Sequence, residues 1–127
     1  MTRTILRRAT LLLGSCLLMA CTSATGAGGS PPPAPPGGAV IIAQANVFDR
    51  QELVVPAGRP FQLLFENREA APHNVTINDE AIDQPLFAGE IFGGPGSRTY
   101  DVPAIPAGTH SFRCDVHPEM TGTLTAR

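Results

Sequence analysis

The run Cys114-Asp115-Val116-His117-Pro118-Glu119-Met120 puts a thiolate, an imidazole and a thioether within seven residues. One soft metal ion could bind all three. Upstream, Ala71-Pro72-His73-Asn74-Val75 supplies a second imidazole, just before an alternating apolar stretch. Thiolate and thioether sulfurs are soft ligands, and a cysteine with two histidines and a weakly held axial methionine is the arrangement of electron-transfer copper sites. The candidate ligands are His73, Cys114, His117 and Met120.

Residues three apart on an extended strand point to opposite faces, so Cys114, His117 and Met120 converge only if the chain turns between them. Pro118 favours that turn, because it lacks an N–H for a central ladder and pushes His117 away from helical geometry. The segment therefore reads as a strand end followed by a tight loop. Each residue also has a plainer reading: Cys114 as a small buried hydrophobe, His73 as a surface loop residue, Met120 as packing at the end of the fold. Zinc is the competing metal, but structural zinc takes four Cys or His ligands and has little use for a thioether.

Pro72-His73-Asn74 followed by Cys-x2-His-x2-Met resembles the small blue copper proteins, the plastocyanin, amicyanin and azurin family of cupredoxins, with amicyanin nearest in loop spacing. The resemblance covers roughly residues 40–127, including Val55-Pro56-Ala57-Gly58, Phe65-Glu66-Asn67 and Gly108-Thr109-His110-Ser111-Phe112-Arg113-Cys114. It implies one type 1 copper per chain on the four candidate ligands. It also implies that Asn74 ties the two ligand loops together from behind, through a partner around Asp115, where relatives often carry a hydroxyl residue. His110 stands where members often have an aromatic side chain. Arg113, beside the ligand Cys, is expected to point outward into solvent.

The implied function is the carriage of single electrons between a redox donor and acceptor, which dock near the exposed edge of His117. Pro118, Ala70, Ala71 and Pro72 would form a small apolar rim there, suited to brief encounters. An enzyme is not expected. Copper oxidases and nitrite reductases of the same fold need further His-rich copper sites, and the chain has three His in all. Copper delivery or sequestration would use the same ligands without redox turnover and stays open as the alternative, although no Met-rich or His-rich tract is present.

Arg3, Arg7 and Arg8 precede an apolar run from Ala9 to Ala20, so residues 1–20 read as a secretory signal peptide. Leu18-Met19-Ala20-Cys21 resembles a bacterial lipoprotein cleavage box, which makes Cys21 a lipid anchor at the cell envelope; export could follow the general or the twin-arginine route. Loss of Cys16 and acylation of Cys21 leave Cys114 as the one thiol, and ligation is a reason for an exported lone thiol. Residues 21–38, rich in Gly, Pro and Ser and without charge, read as the anchor and its tether. Residues 39–127 are enough for one small domain, expected to be monomeric.

The formal net charge of the whole chain is −2, with no Lys. Nothing suggests nucleic acid, which wants a clustered basic face. Membrane contact is expected through the anchor alone. Asp79, Glu80 and Asp83 form a small acidic cluster that reads as a solvated loop or a steering patch.

The domain must position the ligands. Phe61-Gln62-Leu63-Leu64-Phe65-Glu66, Val75-Thr76-Ile77 and His110-Ser111-Phe112-Arg113-Cys114 are largely alternating and predict strands with one buried face. Turn signals at Pro56-Ala57-Gly58, Gly93-Gly94-Pro95-Gly96 and Pro106-Ala107-Gly108 separate them, and no stretch has sustained helical periodicity. The expected fold is all-β, an antiparallel Greek-key sandwich of seven or eight strands. His110 shares a face with Cys114 but lies roughly 13 Å back along the strand, so it is expected in the core and not at the metal.

Overall fold

The computed structural model describes residues 29–82 and 84–127. Residues 1–28, with the expected signal peptide and Cys21, lie outside them, as does Asp83 of the acidic cluster. Eleven strands follow in chain order: β1 Ala39–Gln44, β2 Val47–Phe48, β3 Glu52–Val55, β4 Phe61–Asn67, β5 Pro72–His73, β6 Thr76–Asp79, β7 Gln84–Ala88, β8 Phe92–Gly93, β9 Gly96–Val102, β10 Gly108–Arg113 and β11 Thr121–Ala126. They build one sheet in the order β2-β1-β4-β9, a second in the order β3-β11-β10-β6-β7, and a short β5-β8 pair. The all-β sandwich stands, with two differences from expectation. The strands number eleven, several of only two residues, and β1 with β4 and β3 with β11 pair in parallel.

Period-two burial explains the packing. On β4, Phe61, Leu63 and Phe65 are buried while Gln62 is exposed; on β10, His110 and Phe112 are buried while Arg113 is exposed. These inward rows meet Ile41, Leu53, Ile77, Val102 and Leu124 in one core. Phe48 packs on Phe112 with ring centroids 5.4 Å apart, and Phe65 meets Phe92 edge-on at 5.7 Å. Gly122 lies opposite Phe112 across the β10–β11 ladder, where an added Cβ would come within 2.2 Å of the Phe112 ring. Residues 75–77 do not alternate as expected: Val75, Thr76 and Ile77 are all buried, because the segment also faces the loops at the ligand end.

The ladders put the start of β6, the end of β10 and the start of β11 at one end of the sandwich, since Arg113 pairs with both Thr76 and Thr121. β4 ends there as well. Asn67, fully buried, donates from Nδ2 to Ala71 O at 2.8 Å and Phe92 O at 3.0 Å, and accepts Glu69 N–H on Oδ1. One amide thereby fastens the loop before His73 to β8.

Residues 29–38, the described part of the expected tether, touch the domain. Arg68 donates from Nη1 to Gly29 O at 3.0 Å, and Gly38 N–H donates to Pro35 O at 2.7 Å. Pro32, Pro35 and Gly38 are half-buried, with the residues between them exposed.

Candidate metal centre

His73, Cys114 and His117 converge: one nitrogen from each ring and the Cys114 sulfur all lie within 4.8 Å of one another. Cys114 Sγ is 3.8 Å from His73 Nδ1 and 3.7 Å from His117 Nδ1, and the two rings are 4.5 Å apart between centroids. Two donors bound about 2.0 and 2.3 Å from one ion at a trigonal angle sit about 3.7 Å apart. The spacing fits a single first-row metal ion on all three atoms. His73 and Cys114 are buried and His117 is half-buried, so the imidazole edge of His117 is the part nearest solvent.

The sequence dictates this convergence through two short loops. Cys114 N–H donates to Met120 O and Met120 N–H to His117 O, both at 2.9 Å, so the chain closes on itself immediately after β10 and carries Met120 into the interior at 2% exposure. Pro118, at the apex, breaks no ladder bond there. Two sulfurs and two imidazoles, three of the four residues buried, are the donors that copper prefers; calcium or magnesium would want oxygen.

His73 is oriented from behind. Its Nε2 lies 2.8 Å from Glu69 Oε1, which makes Nε2 the protonated nitrogen and leaves Nδ1 with a free lone pair toward Cys114. Asn46 N–H donates to the same carboxylate oxygen at 2.9 Å. That backbone donor, chiefly, holds the Glu69 carboxyl below its ordinary pKa; the His73 ring adds to the effect, and partial desolvation opposes it. Glu69 was not visible in the sequence as a site residue. The available signal was a carboxylate four positions before a candidate ligand.

Asn74 and Asp115 make a reciprocal pair between the two ligand loops. Asn74 donates from Nδ2 to Asp115 Oδ2 at 2.7 Å and accepts Asp115 N–H on Oδ1 at 2.8 Å, while Nδ2 also reaches Gly89 O. Thr76 donates its hydroxyl to the same Asp115 oxygen at 2.6 Å. Desolvation by itself raises the Asp115 pKa, yet the Thr76 and Asn74 donors and nearby Arg113 outweigh it and the carboxyl is held below its ordinary value. Thr76 thus brings in the hydroxyl that Asp115 lacks. Arg113 is exposed and lies 3.4 Å from Asp115 Oδ1.

His110 is in the core and away from the metal cluster, as expected. Its Nε2 donates to Pro106 O at 2.9 Å, and its buried Nδ1 has no partner among the described residues. Val116 and Pro118, which flank His117 in the chain, are exposed, and so are Pro72 and Ile91 at the β5–β8 pair that carries His73; Val116 and Ile91 are two apolar residues absent from the expected rim.

Across residues 10–126 the chain matches the family model of the cupredoxin-like domain. The protein belongs to that family. Among solved structures, this cupredoxin is similar to reduced auracyanin from the photosynthetic bacterium Roseiflexus castenholzii, with TM-score 0.62 and 22% identity over 72% of this chain and 98% of that one. Auracyanin A, a blue copper protein from the green thermophilic bacterium Chloroflexus aurantiacus, gives 0.61 and 21% over 71% of this chain and all of that one (100%). A reduced Pro-to-Phe variant of amicyanin gives 0.55 and 27%, covering 72% and 83%. No curated protein matches the chain.

Proposed function

We propose that this cupredoxin is a type 1 copper protein that carries single electrons between redox proteins at the cell envelope, held to the membrane by a lipid on Cys21. The observation that carries the reading is the cluster of His73 Nδ1, Cys114 Sγ and His117 Nδ1 within 4.8 Å, beside the buried Met120. Bound there, copper would supply a one-electron couple. The protein's part is to hold the donors still. Glu69 and the Asn74–Asp115 pair fix the ligand loops before any ion arrives, so little need move when the charge at the site changes. Burial of Cys114 keeps water and oxidants from the thiolate.

Electron exchange is assigned to the half-buried edge of His117, with the exposed apolar residues Val116 and Pro118 beside it in the chain and Pro72 and Ile91 at the strand pair that carries His73. A small apolar rim fits partners that bind briefly and leave. The chain is read as a carrier and not an enzyme, because after His73 and His117 only His110 remains, and its ring is committed to Pro106 O.

The test is a visible absorption spectrum of the exported chain loaded with Cu(II), then reduced and reoxidised, beside Cys114→Ser. An intense blue band that bleaches and returns, and is absent from the variant, is the expected result. A nearly colourless protein, or one that takes only Cu(I), would reject the carrier and leave copper delivery or sequestration as the account.

A further inference from the structure

The segment before β1 has a built position on the domain, and that position determines which end of the molecule its N-terminal side reaches. Pro35-Pro36-Gly37-Gly38 is a type II turn: Gly38 N–H donates to Pro35 O at 2.7 Å, Pro occupies the second position and Gly37 the third with φ 68°. The turn reverses the chain, so residues 29–35 run back over the sheet beside the strand they precede. Gly38 is pressed against Gln62 O, where a Cβ would come within 2.4 Å, at the start of β4. Pro32 borders a surface groove together with Leu64, Glu66 and Ser97, and Pro31 borders another with Ile42, Val47 and Arg68. At the far end Arg68, itself bidentate to Glu66, donates to Gly29 O at 3.0 Å.

Two further observations show a fitted contact. Pro32, Pro35 and Gly38 are half-buried while the residues between them are exposed, so the segment and its turn keep one side against the domain. Beneath it, Val40 and Ile42 point away from the core side of β1, occupied by Ala39, Ile41 and Ala43, yet are only 4% and 2% exposed.

We propose that residues 29–38 are a strap, and that it brings the chain out at the metal end of the sandwich, so that the electron-exchanging partner is a membrane-embedded redox protein. The proposal rests on the carrier reading and on acylation of Cys21. Arg68 adjoins Glu69, whose carboxylate holds His73, so the chain before Gly29 leaves from the metal end. Eight residues, 21–28, then separate the anchor from the docked strap, a reach of at most about 29 Å. An undocked strap would instead give an 18-residue tether, 21–38, joined at the opposite end near Gln62. It would reach about 65 Å fully extended and present the metal end away from the lipid.

The test takes the processed chain with Cys114→Ser, so that introduced thiols alone carry nitroxides. Ser30→Cys paired with Thr109→Cys, at the end opposite the metal, should give one narrow distance distribution that broadens in Arg68→Ala; a distribution already broad in the parent overturns the strap. In phosphatidylcholine vesicles doped with nickel-chelating lipid, a nitroxide at Ile91→Cys should relax several-fold faster than one at Thr109→Cys. Equal or reversed rates overturn the orientation. A mass showing unmodified Cys21 overturns the anchor reading and the membrane orientation with it, while the nitroxide distance, repeated with Cys21→Ser so that no third thiol is labelled, still decides the strap.

Discussion

His73 faces Cys114 with its Nδ1 because Glu69 holds the other nitrogen, and Glu69 is in turn held by Asn46 N–H. Removing the carboxylate in Glu69→Ala frees the ring and the Asn46 turn together. Copper affinity, read by competition with a chelator, should fall about 10- to 100-fold, and Glu69→Gln should recover most of it because an amide oxygen can accept both bonds. Failure of Gln to rescue would show that charge and not position is what His73 needs. The four candidate ligands were legible in the sequence because rare donor types recur there at short, turn-compatible spacing. Glu69 was not, since a carboxylate four residues before a loop histidine has no periodicity that folds it back, and its second contact comes from a turn 23 residues upstream. Asp115 was legible as Asn74's partner through the family resemblance, but the hydroxyl arriving from Thr76 depends on the meeting of β6 with β10.

Among the elements, the β10–β11 hairpin carries Cys114 at its exit and Met120 at its return, and Phe112 is its packing anchor. The Phe112 ring lies over Gly122, with no room for a methyl group. Gly122→Ala should therefore destabilise the metal-free fold by about 1–3 kcal/mol as overpacking, seen as a lower urea midpoint with unchanged slope. A neutral result would mean that the ring swings aside freely. Strand β4 could be read from its alternation, Phe61 to Glu66, because one of its faces is wetter than the other. Strand β1 could not, because Ala39 to Ala43 is a continuous apolar run buried on both faces, and the cover on its second face is the Pro-rich segment, which composition alone marks as a spacer. The parallel pairing of β1 with β4 joins segments separated by β2 and by β3, which crosses to the other sheet, and no local signal encodes it.

For the whole molecule, acid is the informative perturbation. Asp115 binds its proton less tightly folded than unfolded, so it stabilises the fold above the ordinary carboxylate range, and that contribution is lost as pH falls through its depressed folded value. The hydroxyl of Thr76 bonds the ionised carboxylate more strongly than the neutral acid. Metal-free Thr76→Val should be less stable than the parent at neutral pH, and the gap should narrow toward about pH 3, below the ordinary carboxylate pKa of about 4; thermal unfolding across that range measures it. A gap independent of pH would assign the loss to packing. The closure of the ligand loop has a consequence of a different kind. Cys114 is the one cysteine among the described residues and is 1% exposed, so an alkylating reagent reaches it in the metal-free chain only while the bonds joining Cys114, His117 and Met120 are broken. The alkylation rate, divided by that of the unfolded thiol, is then the fraction of time the loop stands open. One time course would measure the breathing of a seven-residue lid directly, with nothing else in the domain contributing to the signal.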